Sequence, residues 1–212
     1  MQVYKNLNIV TDKIKKEKMG NIPHHLFDIK DINEDYSVEE YQGNIRKVIS
    51  EVTSSNKLPI IVGGTGLYVK ATLYDYTFEK QEISNKEVEE KYKDYSNEQL
   101  YEMLLKIDPK SCETIHQNNR RRVLRAIAIY ETSGKSKSET IDNQKHEMLY
   151  DAIIICLTLD KEIINKKIDI RIEEMFDEGL IDEVKNNPTT STASKAIGYR
   201  EVKDYLDGLI SL

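Results

Sequence analysis

A turn of glycines around one threonine follows a short apolar run and could place a hydroxyl group beside a ligand. Residues 58–62 read Leu-Pro-Ile-Ile-Val, and Gly63-Gly64-Thr65-Gly66 follows directly. This pattern is typical of a buried strand that ends in a tight turn, and ligands of open α/β sheets bind just beyond such strand ends. We expect Thr65 to offer a hydrogen-bonding hydroxyl there. The alternative is a turn that needs glycine only for positive φ angles.

Other familiar site chemistries are not indicated. The glycine turn lacks the lysine of a phosphate-binding loop and the G-x-G-x-x-G spacing, so it does not form a phosphate cradle alone. His24 and His25 have no accompanying cluster of cysteine, histidine or carboxylate side chains, which argues against a metal site. No Ser-His-Asp order is apparent.

A second candidate is the basic segment at residues 118–127, which begins with two asparagines. At about 100° per residue, Val123, Ile127 and Tyr130 share one face of a helix. The opposite face carries Arg121, Arg122 and Arg125. Such a helix could bind phosphate through its N-terminal amides and its guanidinium groups. The alternative is a solvated basic face that pairs with the acidic stretch upstream.

Arg171 is a third candidate because it lies at the edge of an apolar helical stripe. The stripe contains Ile164, Ile168, Ile172 and Met175. A charge at such an edge needs a partner or a ligand. The pattern therefore predicts either a structural ion pair or a contact with an anion.

The elements that would position these residues are those of an α/β fold. Residues 58–62 and the continuously apolar 152–159 predict two strands of a parallel sheet that is covered on both faces. Ser37-Val38-Glu39-Glu40 is a capping box that opens a helix before the first strand. We predict an α/β core in residues 1–79 and 148–212, and a small helical insertion in residues 80–147.

Composition narrows the class of protein. The chain has 212 residues, is 39% hydrophobic and carries a formal net charge of −6. Its two cysteines lie in unrelated contexts, which favours a reducing compartment, and no apolar run could span a bilayer. We expect a cytoplasmic protein. The negative net charge argues against nucleic-acid binding. Because screening by salt limits the range of each charge to about 10 Å, a local basic surface can still bind phosphate.

Taken together, the motifs resemble those of the tRNA dimethylallyltransferases (tRNA isopentenyltransferases) over nearly the whole chain. The matching segments are Met1-Gln2-Val3-Tyr4, Pro23-His24-His25-Leu26-Phe27-Asp28, Tyr36-Ser37-Val38, Gly63 to Tyr68, Ile115 to Ala126, Arg171 with Met175, Gly179-Leu180, and Ala196-Ile197-Gly198-Tyr199. The resemblance implies a P-loop NTPase-like parallel sheet with an inserted helical domain. It also implies transfer of a dimethylallyl group from dimethylallyl diphosphate to the exocyclic amine of the adenine beside the anticodon, assisted by Mg²⁺.

The resemblance implies a role for each motif residue. Thr65 would contact the adenine amine, and Met1 and Gln2 would hold the base outside its stack. The anticodon stem-loop of tRNA would be contacted by Gln117 and by four residues of the basic segment, Asn118, Asn119, Arg120 and Arg121. The diphosphate would be bound by Gly63, Gly64 and Arg171. No residue is assigned as a metal ligand, and a monomer without a membrane partner is expected.

The sequence also departs from the family pattern. It lacks the lysine-bearing phosphate loop and the Asp-Ser pair that the family has before Met1, and the C-terminal segment that contains a tryptophan. Val10, Asp12 and Gln117 are smaller departures. We therefore expect an incomplete copy of such an enzyme with little transferase activity. The alternatives are an adenylate (cytokinin-type) isopentenyltransferase, a non-catalytic tRNA-binding fragment and a P-loop kinase relative.

Overall fold

The chain divides into two compact units. The computed structural model describes residues 1–78, 85–142 and 147–211. Unit 1 comprises Met1–Tyr68 and Ala152–Leu212, and unit 2 comprises Val69–Asp151. The first residues of the helical insertion predicted at 80–147, and its residues 143–146, lie outside the described ranges.

Helices account for most of the regular structure in both units. In chain order they are α1 (Val38–Ser54), α2 (Gly66–Leu73), α3 (Asn85–Lys91), α4 (Asn97–Ile107), α5 (Pro109–Cys112), α6 (Arg120–Ser133), α7 (Lys137–Asp142), α8 (Lys161–Asp177), α9 (Leu180–Asn186) and α10 (Tyr199–Leu206). Short 3₁₀ helices occur at Lys16–Lys18 and Thr192–Lys195. Across the described part of the chain, every helix is too short or too polar to cross a lipid bilayer.

The core of unit 1 packs the irregular N-terminal segment against α9 and α10. Its largest buried side chains include Tyr4, Leu7, Tyr36, Leu180, Val184, Tyr199 and Val202. The carboxylate of Glu183 on α9 accepts hydrogen bonds from the backbone N–H groups of Asn8, Ile9 and Val10 at 2.8–3.0 Å. One side chain therefore fixes three consecutive residues of the N-terminal segment, and a charged acceptor makes these bonds strong.

We expect Glu183→Gln to lower the free energy of unfolding by about 1–2 kcal/mol. The neutral amide oxygen accepts more weakly than a carboxylate, and the new NH₂ group faces backbone donors. Urea denaturation measures the change. Asp182→Asn removes the same charge from the neighbouring exposed position and should stay within about 0.5 kcal/mol. Equal midpoints for the two variants would contradict the role of Glu183.

The two predicted core strands have no regular secondary structure, and they do not pair with any described residue. The structure records no backbone hydrogen bond for residues 58–62 or 152–159 within the described ranges. Their apolar side chains are exposed, with Val62 at 92% and Ile153 at 93%. The predicted parallel sheet is therefore not confirmed. A strand needs a neighbour to bond its amides and carbonyls and to cover its faces, and the described residues give these segments none.

Unit 2 is built on α4 packed against α6, with α3, α5 and α7 around this pair. Its buried residues include Val88, Tyr92, Leu100, Leu104, Ile115, Val123, Leu124 and Ile127. Capping residues set the helix boundaries of unit 2: Ser96 and Gln99 form the capping box of α4, Asp108 caps α5, and Gly134 ends α6 with a φ of +68°. In unit 1, Ser37 Oγ likewise accepts from the N–H of Glu40 at the start of α1.

Candidate functional site

The glycine turn lies exposed at the beginning of α2. The carbonyl oxygen of Thr65 accepts a hydrogen bond from the N–H of Tyr68 at 3.0 Å, so the helix begins directly after the threonine. The Thr65 side chain is exposed, and its hydroxyl has no hydrogen bond to any described residue. This hydroxyl is therefore available to a ligand, as the sequence predicts.

The glycines of this turn do not adopt the positive φ angles that the alternative interpretation of the sequence requires. Gly63, Gly64 and Gly66 all have negative φ angles, so the expectation that the turn needs positive φ is wrong. A Cβ atom added to any of the three would meet nothing within 4 Å. Neither strain nor packing among the described residues explains the glycines. Their effect is to leave the backbone on both sides of Thr65 uncovered.

A pair of tyrosines anchors the first turn of α2, and this contact is not evident from the sequence. The ring of Tyr68 packs on that of Tyr41 of α1, with 4.5 Å between centroids. Burial raises the pKa of the Tyr68 hydroxyl, and the neighbouring Tyr41 raises it further. The hydroxyl therefore stays protonated at neutral pH. Because Tyr68 is three residues from Thr65, the aromatic pair helps to hold the turn in place.

Gln2 and Arg171 meet at the loop of residues 11–12. Gln2 Nε2 donates to the carbonyl oxygens of Thr11 at 3.1 Å and of Asp12 at 2.9 Å. Arg171 Nε, on α8, lies 3.3 Å from Oδ2 of Asp12. Arg171 is thus in an ion pair, one of the two possibilities that its position allowed. Gln2 Oε1 accepts no hydrogen bond from any described residue, and Met1 beside it is 43% exposed.

The basic segment forms the first turns of α6. Asn119 is its N-cap, and Asn119 Oδ1 accepts from the N–H of Arg122 at 3.4 Å. Gln117 and Asn118 are exposed, and the N–H of Asn118 donates to Nδ1 of His116 at 3.2 Å. The predicted faces are confirmed except at one position: Val123 and Ile127 are buried and Arg121, Arg122 and Arg125 are exposed, but Tyr130 is 38% exposed.

Arg120 differs from the arginines that follow it. Its guanidinium group donates to the carbonyl oxygens of Tyr92 and Tyr95 and to Oδ1 of Asn97. These bonds fasten the connection between α3 and α4 to the beginning of α6. The donors of Arg120 are therefore used within the protein, and we expect its contribution to a binding surface to be positioning.

The other arginines are free to bind an anion. The side chains of Arg121, Arg122 and Arg125 have neither an ion pair nor a hydrogen bond to any described residue. The first turn of α6 holds three arginines and no acidic residue. Cations at a helix N-terminus oppose the helix dipole at about 0.3–1 kcal/mol each. A negatively charged ligand would relieve this unfavourable arrangement.

Lys137 is a further cation near this surface that the sequence patterns did not single out. It is the first residue of α7, which packs on α6, and its side chain is half-buried. Burial lowers the pKa of its ammonium group, and repulsion from Arg122 and Arg125 lowers it further. The available signal was a lysine in the first turn of a helix, where acidic residues are favoured.

Comparison with known proteins identifies relatives along the entire chain. The IPP transferase family profile matches residues 2–212. The tRNA dimethylallyltransferase of Anoxybacillus flavithermus is 44% identical over 216 residues, which span 100% of this chain and 69% of that protein. The tRNA dimethylallyltransferase of Bacillus licheniformis is 42% identical over 220 residues, which span 100% and 70%.

Solved structures agree with these relatives. The crystal structure of the full-length tRNA isopentenylpyrophosphate transferase of Bacillus halodurans matches with a TM-score of 0.67 and 36% identity, covering 100% of this chain and 68% of that one. A eukaryotic dimethylallyltransferase acting on tRNA matches with a TM-score of 0.83 and 27% identity, covering 98% and 55%. The glycine turn and the basic helix thus lie in a chain that belongs to the IPP transferase family.

Proposed function

We propose that this chain modifies tRNA by moving a dimethylallyl group from dimethylallyl diphosphate to the exocyclic amine of the adenine adjacent to the anticodon. Family membership supports the reaction. The observation that supports an RNA substrate is the N-terminus of α6. Exposed arginines lie there, at the positive end of the helix dipole, without partners among the described residues. A free nucleotide would not need such a surface.

The tRNA would contact unit 2 at the beginning of α6. Gln117, Asn118 and Asn119 present amide groups there, and Arg121 presents an unpaired guanidinium group. Such groups bind phosphate and sugar, and they set the position of an RNA without reading its sequence. Arg120 supports this surface through its bonds to the α3–α4 connection.

The reacting groups would meet unit 1. In the reaction a bond forms between the amine nitrogen and the allylic carbon, the C–O bond to diphosphate breaks, and the amine releases one proton, which the departing diphosphate or water takes up. Thr65 would accept a hydrogen bond from the amine and orient it, since a hydroxyl is too weak a base to keep the proton. The uncovered amides at Gly63 and Gly64, with Arg171, would stabilise the departing diphosphate. Met1 and the free Oε1 of Gln2 would hold the extruded base.

Mg²⁺ would enter with the diphosphate. The ion binds phosphate oxygens and water together with one or two carboxylates. The described residues include no group of three or more metal-binding side chains that could hold the ion by themselves. We assign the ion to the substrate and no step to it.

We further infer that residues 58–62 and 152–159 are strands of a P-loop-like parallel sheet. Their apolar composition supports this, as do the tRNA isopentenyltransferase structures that match the chain. Pairing partners would satisfy their free amides and carbonyls. Such a sheet would place Thr65 at a strand's carboxyl end, where α/β folds bind ligands.

The acceptor specificity tests the proposed reaction. The chain is incubated in excess over unmodified tRNA, or over free AMP, with dimethylallyl diphosphate, and prenylated adenosine is measured by mass spectrometry. We expect product on tRNA and not on AMP. Product on AMP alone would identify the adenylate-type enzyme. Binding of tRNA with no product at all would indicate a non-catalytic tRNA-binding fragment.

The arginine surface gives a separate prediction about binding. We expect Arg121→Ala to weaken binding of an anticodon stem-loop RNA about fivefold, equivalent to about 1 kcal/mol. The slope of log affinity against log salt should become shallower by about 1. Fluorescence anisotropy measures both quantities. Lys106→Ala removes an exposed cation from α4 of the same unit and should change neither. Equal losses of RNA affinity in the two variants would show that net charge, and not the position of Arg121, causes the effect.

A further inference from the structure

Lys137 lies beside two arginines without a compensating partner. Arg122 and Arg125 are one helical turn apart on the exposed face of α6, and Lys137 begins α7, which packs on α6. The charges of the two arginines repel the Lys137 ammonium group. Within residues 1–78, 85–142 and 147–211, none of these three side chains forms an ion pair or hydrogen bond. Three positive charges from two packed helices are therefore held together with no negative charge bonded to them.

The Asp108 carboxylate, which lies near Lys137, accepts its hydrogen bonds from other residues. Asp108 is 1% exposed and accepts hydrogen bonds from the N–H groups of Ser111 and Ser138 and from the Ser138 hydroxyl. Its charge raises the pKa of Lys137, but burial and the two arginines outweigh it. A half-buried cation kept among like charges costs folding free energy. An anion bound at this position would recover that cost.

We propose that Arg122, Arg125 and Lys137 together bind one backbone phosphate group of the RNA. This inference rests on the proposed function, because the RNA supplies the phosphate. Two guanidinium forks from α6 and an ammonium group from α7 would approach the phosphate from two directions, which suits its several acceptor oxygens. Arg125 is one helical turn beyond Arg121, so the RNA backbone would continue from the first turn of α6 onto this cluster.

Substitution of Lys137 by glutamine tests the cluster. We expect K137Q to bind a 17-nucleotide anticodon stem-loop about tenfold more weakly, with a salt slope shallower by about 1. The thermal midpoint should be unchanged or higher, since a repelled charge is removed. K135Q is the matched control, because Lys135 shares a surface depression with the acidic Glu139 and Asp142. It changes net charge equally and should bind within about twofold of wild type.

A conservative variant and a second ligand complete the test. K137R keeps the charge and should restore most of the affinity, whereas a loss in both K137Q and K137R together with a lower midpoint would assign Lys137 a structural role and overturn the proposal. Inorganic diphosphate is titrated as the other phosphate source, and K137Q should leave its affinity unchanged. An effect on diphosphate without an effect on RNA would overturn the proposal.

The outcomes also separate this inference from the proposed function. If wild type binds the stem-loop and R121A weakens it but K137Q does not, the phosphate site is refuted while the proposed function stands. If wild type binds no stem-loop at all, both are refuted. A selective loss in K137Q, with K135Q and the thermal midpoint unaffected, supports the site.

Discussion

Replacement of Thr65 by valine is expected to reduce dimethylallyl transfer to tRNA about 100-fold. Valine has nearly the shape of threonine but no hydroxyl, so the adenine amine would lose the group that orients it. Loss of one oriented hydrogen bond at a reacting centre typically costs a factor of about 10² to 10³. The Thr65 side chain is exposed and without a described hydrogen bond, so the substitution should leave the fold unchanged. Single-turnover assays with the protein in excess over tRNA measure the rate.

Thr65→Ser is the matched control for this prediction. Serine keeps the hydroxyl and loses only a methyl group, and its rate should fall within about fivefold of wild type. The affinity for the stem-loop RNA should be nearly the same in all three proteins, because the RNA surface that we propose lies on α6. A valine variant as fast as the serine variant would show that the hydroxyl takes no part in the transfer.

Replacement of Asp108 by alanine is expected to lower the free energy of unfolding by about 3 kcal/mol. The carboxylate is buried and accepts from Ser111 at the start of α5 and from Ser138 in α7. Truncation would leave these donors without their acceptor, at about 1–3 kcal/mol per buried group. Urea denaturation measures the loss. Asp142→Ala is a control, because that carboxylate bonds Lys110 on the exposed surface and contributes less than about 1 kcal/mol.

The stability should also depend on pH through Asp108. Burial alone would raise the pKa of this carboxyl, but the hydrogen bonds from Ser111 and Ser138 outweigh burial and leave the pKa below 3.8. A carboxyl group with a depressed pKa stabilises the fold at every pH above its pKa in the unfolded chain. This stabilisation is lost as the pH falls through the pKa in the folded protein. We expect wild type to lose stability below about pH 4 and the alanine variant to lose less there. Parallel curves for both proteins would contradict this assignment.

The helices of unit 2 could be predicted from the sequence because their signals are local. Ser96 and Gln99 are three residues apart, and Asp108 immediately precedes Pro109, so each cap can be read within one turn of chain. The split of α6 into a buried and an exposed face follows from periodicity alone. These features depend only on neighbours in sequence, and the structure confirms them.

The remaining features depend on partners far along the chain. Arg120 and Arg121 are adjacent and identical in type, yet only Arg120 reaches the carbonyl oxygens of Tyr92 and Tyr95, and no local pattern distinguishes the two. Likewise, an apolar run such as residues 152–159 shows that a segment suits a sheet, but not which strand pairs with it. The position of Lys137 beside Arg122 and Arg125 could not be predicted from local sequence, because these arginines are on another helix.

The bonds between Glu183 and the N-terminal segment affect how the protein is made. The partners are 173 to 175 residues apart, and ribosomes add about 5–20 residues per second. The first ten residues therefore leave the ribosome about 10–35 s before the carboxylate that fixes them. Throughout that interval the segment is open to proteases and chaperones, because its bonds in unit 1 form only after Glu183 has been synthesised.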